Sequence, residues 1–360
     1  MKLLVRVVWV MVVGVGCASS SQRVARPAVV DLGNDTNAVT TPVVASGTLG
    51  RIERLDSGLD AVLGADAKLE ILVKGLDWAE GPVWSKGEKA LLWSDVPQNT
   101  IYRWSEKEGV SVYLKPSGYW GKTPRGGEPG SNGLTFDHQG RLVMCQHGER
   151  RVARLEKDGS IATIVDRFEG KRFNSPNDLV YDSVGDLYFT DPPYGMEGKL
   201  EDPKKEIPFQ GVYQYTATGR LELFTKKIKF PNGIAFSPDE GTLYVAASDP
   251  DRPVVWAFDR VGAKRTHFQK EPRVFFDASK LVAKKLKGMP DGMKVDERGN
   301  VWLGGPGGIL IISPEGKHLG TIMTGELMAN CAWGDDGSTL YITADGYLCR
   351  IRTKTHGKMP

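Results

Sequence analysis

The stretch PNGIAFSPDEGTLYVAASD, residues 231–249, decides the fold of this chain. A short alternating run that begins at Asn232 is followed by a turn built on Asp239 and Gly241, and then by a second apolar run, LYVAASD. Alternation with a period of two, bounded by Asp and Gly, is typical of antiparallel β-strands and not of helices. The stretch therefore predicts a hairpin whose first strand begins at an Asn–Gly pair.

The same order of residues occurs in five other places. The marker residues, each an acid or an amide just before an apolar run, are Glu80 in WAEGPVW, Asn132 in SNGLTF, Asn177 in SPNDLVY, Asn232, Asp291 in PDGMKVD and Asn330 in ANCAWG. Successive markers are 39 to 59 residues apart. A repeat of roughly 40 to 50 residues with several strands is typical of propeller blades. The sequence therefore predicts an all-β fold, a six-bladed β-propeller of four-stranded antiparallel blades.

The segment before the first complete repeat has its own predicted place. KLEILVKG, residues 68–75, reads as one more strand that no preceding repeat can pair. We expect it to be the outer strand of the last blade, because this closes the ring and covers an exposed edge.

The N-terminal part of the chain predicts export. Residues 1–17 hold a short apolar stretch flanked by basic residues, as in a signal peptide. Cys17 lies in a context that resembles a bacterial lipoprotein cleavage site, so we expect lipidation there, with ordinary secretion or an uncleaved anchor as alternatives. Residues 18–50 predict a flexible tether and residues 51–360 the propeller. The expected location is the cell envelope or periplasm, with membrane contact only through the lipid anchor.

Composition and missing motifs exclude several function classes. The net charge is only +3, without a basic stripe interleaved with aromatic residues, so we expect no nucleic-acid partner. The chain has no GxSxG motif, and its Gly-rich stretch GGPGGI lacks the Lys-Ser/Thr of a phosphate loop. Cys331 and Cys349 fall in one predicted blade, where they form either a disulfide or two buried thiols.

The markers predict a metal site. Equivalent positions of a propeller converge on its axis, where Glu80, Asn177, Asn232 and Asp291 would place two carboxylates and two amide oxygens. Oxygen-only donors suit one hard divalent cation, so we favour Ca²⁺, with Zn²⁺, Mn²⁺ or Mg²⁺ as alternatives. Four ligands leave coordination positions open for water and a substrate oxygen. The rival explanation is turn chemistry, because Asn and Asp before Gly tolerate left-handed conformations.

Four segments in the right order carry a family resemblance. AEGPVW, SPNDL, PNGIAFSPD and PDGMKVD resemble the hallmark motifs of the gluconolactonase, senescence-marker protein (regucalcin) and luciferin-regenerating family, over roughly residues 68–352. GGEPGSNGLTFD and CQHGERRVAR resemble the longer bacterial gluconolactonases in particular. The resemblance implies a six-bladed propeller in which Glu80, Asn232 and Asp291 bind a divalent metal and Asn177 contacts metal or substrate. The implied activity is metal-dependent hydrolysis of the ring ester of a sugar lactone.

Candidate catalytic and substrate-binding residues follow from this chemistry. Calcium acidifies water weakly, so a general base is needed, and Asp291 is the first candidate because its second oxygen can accept a proton. His147, in CQHGERR, is the second. Asn132 and Asn177 are candidate substrate contacts. Arg172 is a candidate partner for a sugar hydroxyl or carboxylate, with an exposed salt bridge as the alternative.

Two other functions stay open at this level. A metal-dependent esterase or organophosphatase is possible on the same propeller, because the cation can equally polarise a phosphoryl oxygen. A non-catalytic envelope scaffold would keep the metal only to hold the axis together. Asp178 either caps a loop or supports a metal ligand, and Trp120 either forms a lid or packs in its Gly-rich loop.

Overall fold

The computed structural model describes residues 41–262 and 267–360, and these are almost entirely β-structure. The predicted signal peptide, the lipidation site Cys17 and most of the predicted tether lie outside the described residues and stay predictions. Within the described ranges, no helix is both long enough and apolar enough to cross a membrane.

Three short strands precede the first complete blade. They are β1 (Val43–Val44), β2 (Arg51–Arg54) and β3 (Glu70–Lys74), with a 3₁₀-helix at Ser57–Ala61. Blade 1 then consists of β4 (Ala79–Ser85), β5 (Ala90–Asp95), β6 (Thr100–Ser105) and β7 (Gly109–Leu114).

Blades 2 and 3 have the same four-stranded order. Blade 2 consists of β8 (Ser131–Phe136), β9 (Leu142–Gln146), β10 (Arg151–Leu155) and β11 (Ile161–Val165). A small hairpin follows, made of β12 (Arg167–Phe168) and β13 (Lys171–Arg172). Blade 3 consists of β14 (Leu179–Tyr181), β15 (Leu187–Asp191), β16 (Gly211–Tyr215) and β17 (Leu221–Thr225), with a 3₁₀-helix at Lys199–Glu201.

Blades 4 to 6 complete the circle. Blade 4 consists of β18 (Pro231–Phe236), β19 (Thr242–Ala247), β20 (Val254–Val261), the short β21 (His267–Phe268) and β22 (Arg273–Asp277). Helix α1 (Ser279–Ala283) leads to blade 5, which consists of β23 (Met293–Val295), β24 (Val301–Gly305), β25 (Gly308–Ile312) and β26 (His318–Met323). Blade 6 consists of β27 (Met328–Gly334), β28 (Thr339–Ala344), β29 (Tyr347–Arg352) and β3. The prediction of a six-bladed propeller of four-stranded antiparallel blades is confirmed.

The N-terminal strands close the ring. β3 pairs antiparallel with β29, with Val73 opposite Leu348, so KLEILVKG is the outer strand of blade 6, as predicted. β1 adds a further strand to blade 6, and β2 adds one to blade 5. Because Val43–Val44 belong to this sheet, the tether expected over residues 18–50 ends earlier than predicted. An edge strand such as β3 offers unpaired backbone N–H and C=O groups, and pairing with β1 supplies partners for some of them.

The core consists of six apolar clusters, one between each pair of neighbouring blades. The alternation of side chains along β5 shows why each blade contributes to two clusters. Leu91 and Trp93 pack with blade 6, whereas Leu92 packs with blade 2. Successive side chains of a strand point to opposite faces, so a blade buried on both faces needs apolar residues at every position.

The thiols of Cys331 and Cys349 are free and buried, although both lie in blade 6. Cys331 is paired with Ile342 on one side, and Cys349 is paired with Ile342 on the other. The two cysteines are therefore two strand spacings apart, about 9.5 Å, whereas a disulfide needs Cα atoms within about 7 Å. The disulfide alternative is excluded by register.

The first strands of the six blades surround the axis. β4, β8, β14, β18, β23 and β27 touch one another in this order as a closed circle. A cavity of about 1600 Å³ opens from the middle of this circle towards the ends of the strands, with Val83, Leu134 and Ile234 in its wall, and it extends to the C-terminal residues His356 and Pro360. We call the end of the axis where these strands begin the upper end, and the end where they finish the lower end.

Residues 356–360, the C-terminal tail, cross the lower end. The backbone N–H of Glu297 in blade 5 donates to the carbonyl of His356 over 2.7 Å. In blade 1, the Lys86 ammonium donates to the carbonyl of Met359 over 3.1 Å. The tail thereby joins two blades that are not neighbours.

Candidate active site

The six markers lie at equivalent positions at the upper end. Each stands at or just before the first residues of an axial strand, and the set is Glu80, Asn132, Asn177, Asn232, Asp291 and Asn330. All are buried except Asp291, which is partly exposed. The structure therefore brings together the four predicted metal ligands and the predicted substrate contact Asn132.

Bulges place the marker side chains. Pairing of β4 with β5 is interrupted between Glu80 and Val83, and pairing of β8 with β9 is interrupted between Ser131 and Leu134. β18 has the same interruption between Pro231 and Ile234, and β27 has one between Met328 and Asn330. A bulge redirects a side chain out of the regular alternation. In β8 and β18 the marker lies inside the interruption, and in β4 and β27 it is the paired residue beside it.

The glycines that follow the markers allow close contact between blades. A Cβ atom on Gly233 would lie 2.2 Å from the carbonyl oxygen of Asp291, and one on Gly81 would lie 2.1 Å from that of Asn132. Only glycine permits such an approach of two backbones.

Turn chemistry does not explain the Asn–Gly and Asp–Gly pairs. None of the six markers has a positive φ angle, and among Gly81, Gly133, Gly233 and Gly292 only Gly81 has one. These dipeptides serve interblade contact and not a left-handed turn.

Negative charges crowd the upper end. Burial first, and then the charges of Asp178 and Glu128, raise the pKa of Glu80 to about 8, against the N–H of Gly81, which donates to its carboxylate over 3.0 Å. The pKa of Asp291 is also raised well above its usual value, first by burial and then by the charges of Glu80, Asp178 and Glu128. Within residues 41–262 and 267–360, no Lys or Arg pairs with Glu80 or Asp291.

The donors fit a hard cation. A positive ion among these groups would remove the repulsion that raises the two pKa values. Asn132 adds a buried Oδ1 atom for which the described residues supply no hydrogen-bond donor. No cluster of three or more His, Cys, Asp or Glu side chains arranged to hold a metal occurs in the described ranges. The donor set here is instead two carboxylates combined with amide oxygens, which is a combination suited to calcium.

Asp178 occupies the place where four other blades have a glycine. Its Oδ1 accepts the N–H of Leu179 over 2.9 Å, and its Oδ2 accepts the N–H of Ile234 over 3.3 Å. The carboxylate therefore links blade 3 to blade 4 beside Asn177 and Asn232. Of the two roles considered from sequence, support of the ligand ring agrees with these contacts.

His147 follows β9 at the upper end and is completely buried. Its Nδ1 lies 3.3 Å from Oε2 of Glu128, a residue that sequence analysis did not select. The available signal was proximity, since Glu128 stands in GEPGSNG, four residues before Asn132. That spacing alone does not show which way a Gly- and Pro-rich loop turns.

Trp120 and Arg172 lie farther out. The N–H of Trp120 donates to Glu149 over 3.1 Å, its ring lies under the Arg151 guanidinium, and the side chain is 40% exposed. The Arg172 guanidinium donates to the carbonyl of Glu149 over 2.7 Å. These bonds hold Arg172 against the loop after β9 and do not reach the marker residues, so its substrate contact stays a prediction.

Asp191, at the end of β15, holds the segment that leads to Asn177. It accepts the N–H groups of Asn174 and Ser175 over 2.9 and 2.8 Å. Burial raises the pKa of Asp191 to about 7, against these two hydrogen bonds. The residue is a buried support of the site.

Comparison with known proteins agrees with this geometry. Residues 78–346 match the family described as SMP-30/Gluconolactonase/LRE-like region. A gluconolactonase of Zymomonas mobilis is 39% identical over 319 residues, covering 86% of this chain and 88% of the relative. The diisopropyl-fluorophosphatase of Loligo vulgaris is 26% identical over 253 residues, covering 66% of this chain and 76% of the relative.

A solved structure extends the likeness to three dimensions. A gluconolactonase from Xanthomonas campestris superposes with a TM-score of 0.74 at 31% identity, covering 87% of this chain and 99% of that one. The resemblance noted from four short motifs is confirmed. The chain belongs to the SMP-30/gluconolactonase/LRE-like family.

Proposed function

We propose that this protein is a sugar lactone hydrolase that opens the ring ester of a gluconolactone-like substrate, and that one divalent cation, Ca²⁺ in first place, takes part. The observation that carries the proposal is the convergence of Glu80 and Asp291 at the upper end, where burial and then the charge of Glu80 raise the pKa of Asp291, and where the described residues pair neither carboxylate with a Lys or Arg. The relatives named gluconolactonases support hydrolysis of a sugar lactone.

Four residues would hold the cation: Glu80, Asn177, Asn232 and Asp291. When bound, the ion supplies Lewis acidity, which polarises the lactone carbonyl and stabilises negative charge on its oxygen. The protein itself holds the oxygen donors in a fixed arrangement. The contacts between blades through Gly81 and Gly233 fix the separation of the donors before substrate arrives.

The remaining polar groups at the upper end suit a polyhydroxylated ring. The buried Oδ1 of Asn132 can accept a hydrogen bond from a substrate hydroxyl, and we assign Asn132 to substrate contact on this ground. Asn177 is assigned to the same role because it stands at the equivalent position of the next blade. Asp291 is the first candidate for the base that takes a proton from the attacking water. One of its oxygens, Oδ1, is held by the N–H of Gly292 over 2.9 Å, which fixes the carboxylate.

A second candidate activity is hydrolysis of a phosphorus ester or fluoride. The likeness to the Loligo vulgaris diisopropyl-fluorophosphatase favours it, because the same site chemistry would act on a phosphoryl group. We also propose that the protein is exported and that Cys17 carries a lipid.

One experiment separates these possibilities. Proton release is measured with glucono-1,5-lactone, a simple phenyl ester and a fluorophosphate, before and after treatment with a chelator. We expect turnover of the lactone, loss of turnover with the chelator, and recovery on addition of Ca²⁺, Mn²⁺ or Zn²⁺. Full lactone turnover by the metal-free protein would contradict the metal role, and no turnover of any substrate would favour the scaffold alternative.

A further inference from the structure

The loop that joins blade 1 to blade 2, residues 115–130, which we call the mouth loop, is fixed against the end of β9. The N–H of His147 donates to the carbonyl of Gly130 over 3.1 Å, and the N–H of Gly148 donates to that of Pro129 over 3.1 Å. Gly130 in turn donates to the carbonyl of Val96 over 2.9 Å. The residue that precedes this pinned stretch, Glu128, is thereby placed beside the imidazole of His147.

The imidazole has little freedom to move. His147 is 0% exposed, and a Cβ atom on Gly195 would lie 2.4 Å from its Cβ and Cγ atoms, so the loop after β15 packs directly on it. Nδ1 lies 3.3 Å from Oε2 of Glu128. This separation is long for a hydrogen bond, and catalytic pairs commonly shorten when substrate binds. In the structure, neither Nδ1 nor Nε2 makes a hydrogen bond to the described residues, so the Glu128 contact is an approach of charge to Nδ1 that a small movement would turn into a hydrogen bond.

Glu128 is also close to the marker residues along the chain, because it stands four residues before Asn132, at the start of β8. Burial is the first cause of the raised pKa values of Glu80 and Asp291, and the charge of Glu128 adds to both. The pair of Glu128 and His147 therefore lies at the upper end of the axis, next to the proposed reaction centre.

We propose that Glu128 is a positioning residue for His147: its carboxylate holds the N–H of Nδ1 and leaves Nε2 as the atom that delivers a proton to the ring oxygen of the lactone as that oxygen leaves. A carboxylate that orients an imidazole through Nδ1 is a recurrent arrangement of proton-transfer sites. This assignment rests on the proposed lactone hydrolysis.

The step balances without a further reactant. Water adds its oxygen to the carbonyl carbon and gives one proton to the base. The bond between the carbonyl carbon and the ring oxygen breaks, with its electron pair on the ring oxygen, and this oxygen takes the proton of Nε2. Nε2 carries no proton at rest and receives, through solvent and before the ring opens, the proton that water gave to the base. The imidazole therefore ends in the Nδ1-protonated form in which it began, and lactone and water yield the hydroxy acid.

Leaving-group dependence tests the proposal. An aliphatic ring oxygen leaves as a strongly basic alkoxide and needs the proton, whereas a phenolic ring oxygen does not. For Glu128→Gln we expect kcat to fall about tenfold or more on glucono-1,5-lactone, less than the roughly 10² or more of a lost general acid because the imidazole itself stays, and to change less than threefold on dihydrocoumarin, a lactone with a phenolate leaving group. An equal loss on both lactones, or no loss on either, would overturn the assignment.

Glu197→Gln is the matched control. Glu197 accepts the N–H of Gly126 over 3.3 Å, and a glutamine oxygen can accept it too, so the variant removes one carboxylate charge beside the mouth loop without touching His147. We expect its effect, small or large, to be the same on both lactones. Thermal unfolding of both variants shows whether each is folded at the assay temperature.

A second measurement does not depend on activity. Nitrogen-15 NMR of the imidazoles, with His147 assigned through His147→Gln, reports which ring nitrogen carries the proton. We expect the proton on Nδ1 in the wild-type protein and a changed Nδ1 shift in Glu128→Gln. An unchanged shift would overturn the pairing even if the lactones were not substrates, whereas absent lactone turnover with a changed shift would contradict only the proposed function.

Discussion

Asp291 and Asp296 stand at the two ends of the same axial strand, β23, and their surroundings are opposite. At the lower end, Asp296 is buried and accepts hydrogen bonds from the backbone of Arg298 and Asn300, from the Asn300 amide and from the Trp302 indole. At the upper end, Asp291 accepts one from Gly292 and faces other negative charges. A buried carboxylate that is fully hydrogen-bonded serves the fold. A carboxylate that is left among other negative charges lowers the stability of the fold. It indicates a binding site for a ligand that the chain does not itself supply.

The largest expected effect is on Asp291 itself. Asp291→Asn keeps an oxygen donor but removes a negative charge and the proposed proton acceptor, so we expect kcat on glucono-1,5-lactone to fall by roughly 10³, within the range of proton-transfer effects. Metal affinity, measured by calorimetry, should weaken without being abolished. His147→Gln should cost less. If Asp291→Asn keeps near-normal kcat while His147→Gln is inactive with its metal bound, His147 is the base.

The glycine contact at the upper end gives the next effect. Gly233→Ala places a Cβ atom against the Asp291 carbonyl and the Gly292 backbone, which cannot yield without separating blades 4 and 5. We expect a loss of about 3 kcal/mol in the free energy of unfolding, measured in urea, together with weaker metal binding.

Gly87→Ala is the matched control for that variant, because Gly87 lies in an exposed turn at the lower end with open space around it. Its stability should stay within about 0.5 kcal/mol of the wild type. Equal stability of the two variants would show that the blades are not fixed by the Gly233 contact.

A smaller effect is expected for the C-terminal tail. A Cβ atom on Gly357 would lie 1.9 Å from the buried Trp333 indole, so Gly357→Ala should displace the tail. We expect a loss of about 1–2 kcal/mol in unfolding free energy, with kcat and metal affinity unchanged. A marked fall in kcat at a temperature where the variant stays folded would contradict a purely structural lower end.

The smallest expected effect is on the pH dependence of the stability against unfolding. The pKa of Asp191 is raised from 3.8 to about 7, so between these values the folded protein keeps a proton that the unfolded chain has lost. Unfolding then releases a proton, and stability falls as pH rises through this window. Asp191→Asn should lack this contribution, which makes its urea midpoint less dependent on pH between 4 and 7. An identical pH slope in both proteins would show that Asp191 is ionised throughout.

The repeated markers made the blades and the upper end predictable, because strand alternation and spacing are local properties of sequence. The N-terminal closure by residues 68–75 was predictable for the same reason. The pairing of Val43–Val44 was not, since two residues carry no periodicity. Glu128 was missed because its position depends on hydrogen bonds from His147 and Gly148, which are distant in sequence. The Asn–Gly pairs allowed two physical explanations, and only the packing of blades distinguishes them.

The glycine contacts between blades have a consequence for the ion selectivity of the proposed metal site. Backbone atoms of neighbouring blades touch at Gly81 and Gly233, so the ring of oxygen donors cannot contract around a smaller ion by moving its strands together. The diameter of this ring is therefore fixed by contact between the backbones of neighbouring blades. Substitutions in the interblade cores, far from any oxygen donor, would tilt the blades and change the diameter of the ring. Preference among cations of different radius should therefore respond to hydrophobic residues that never touch the ion.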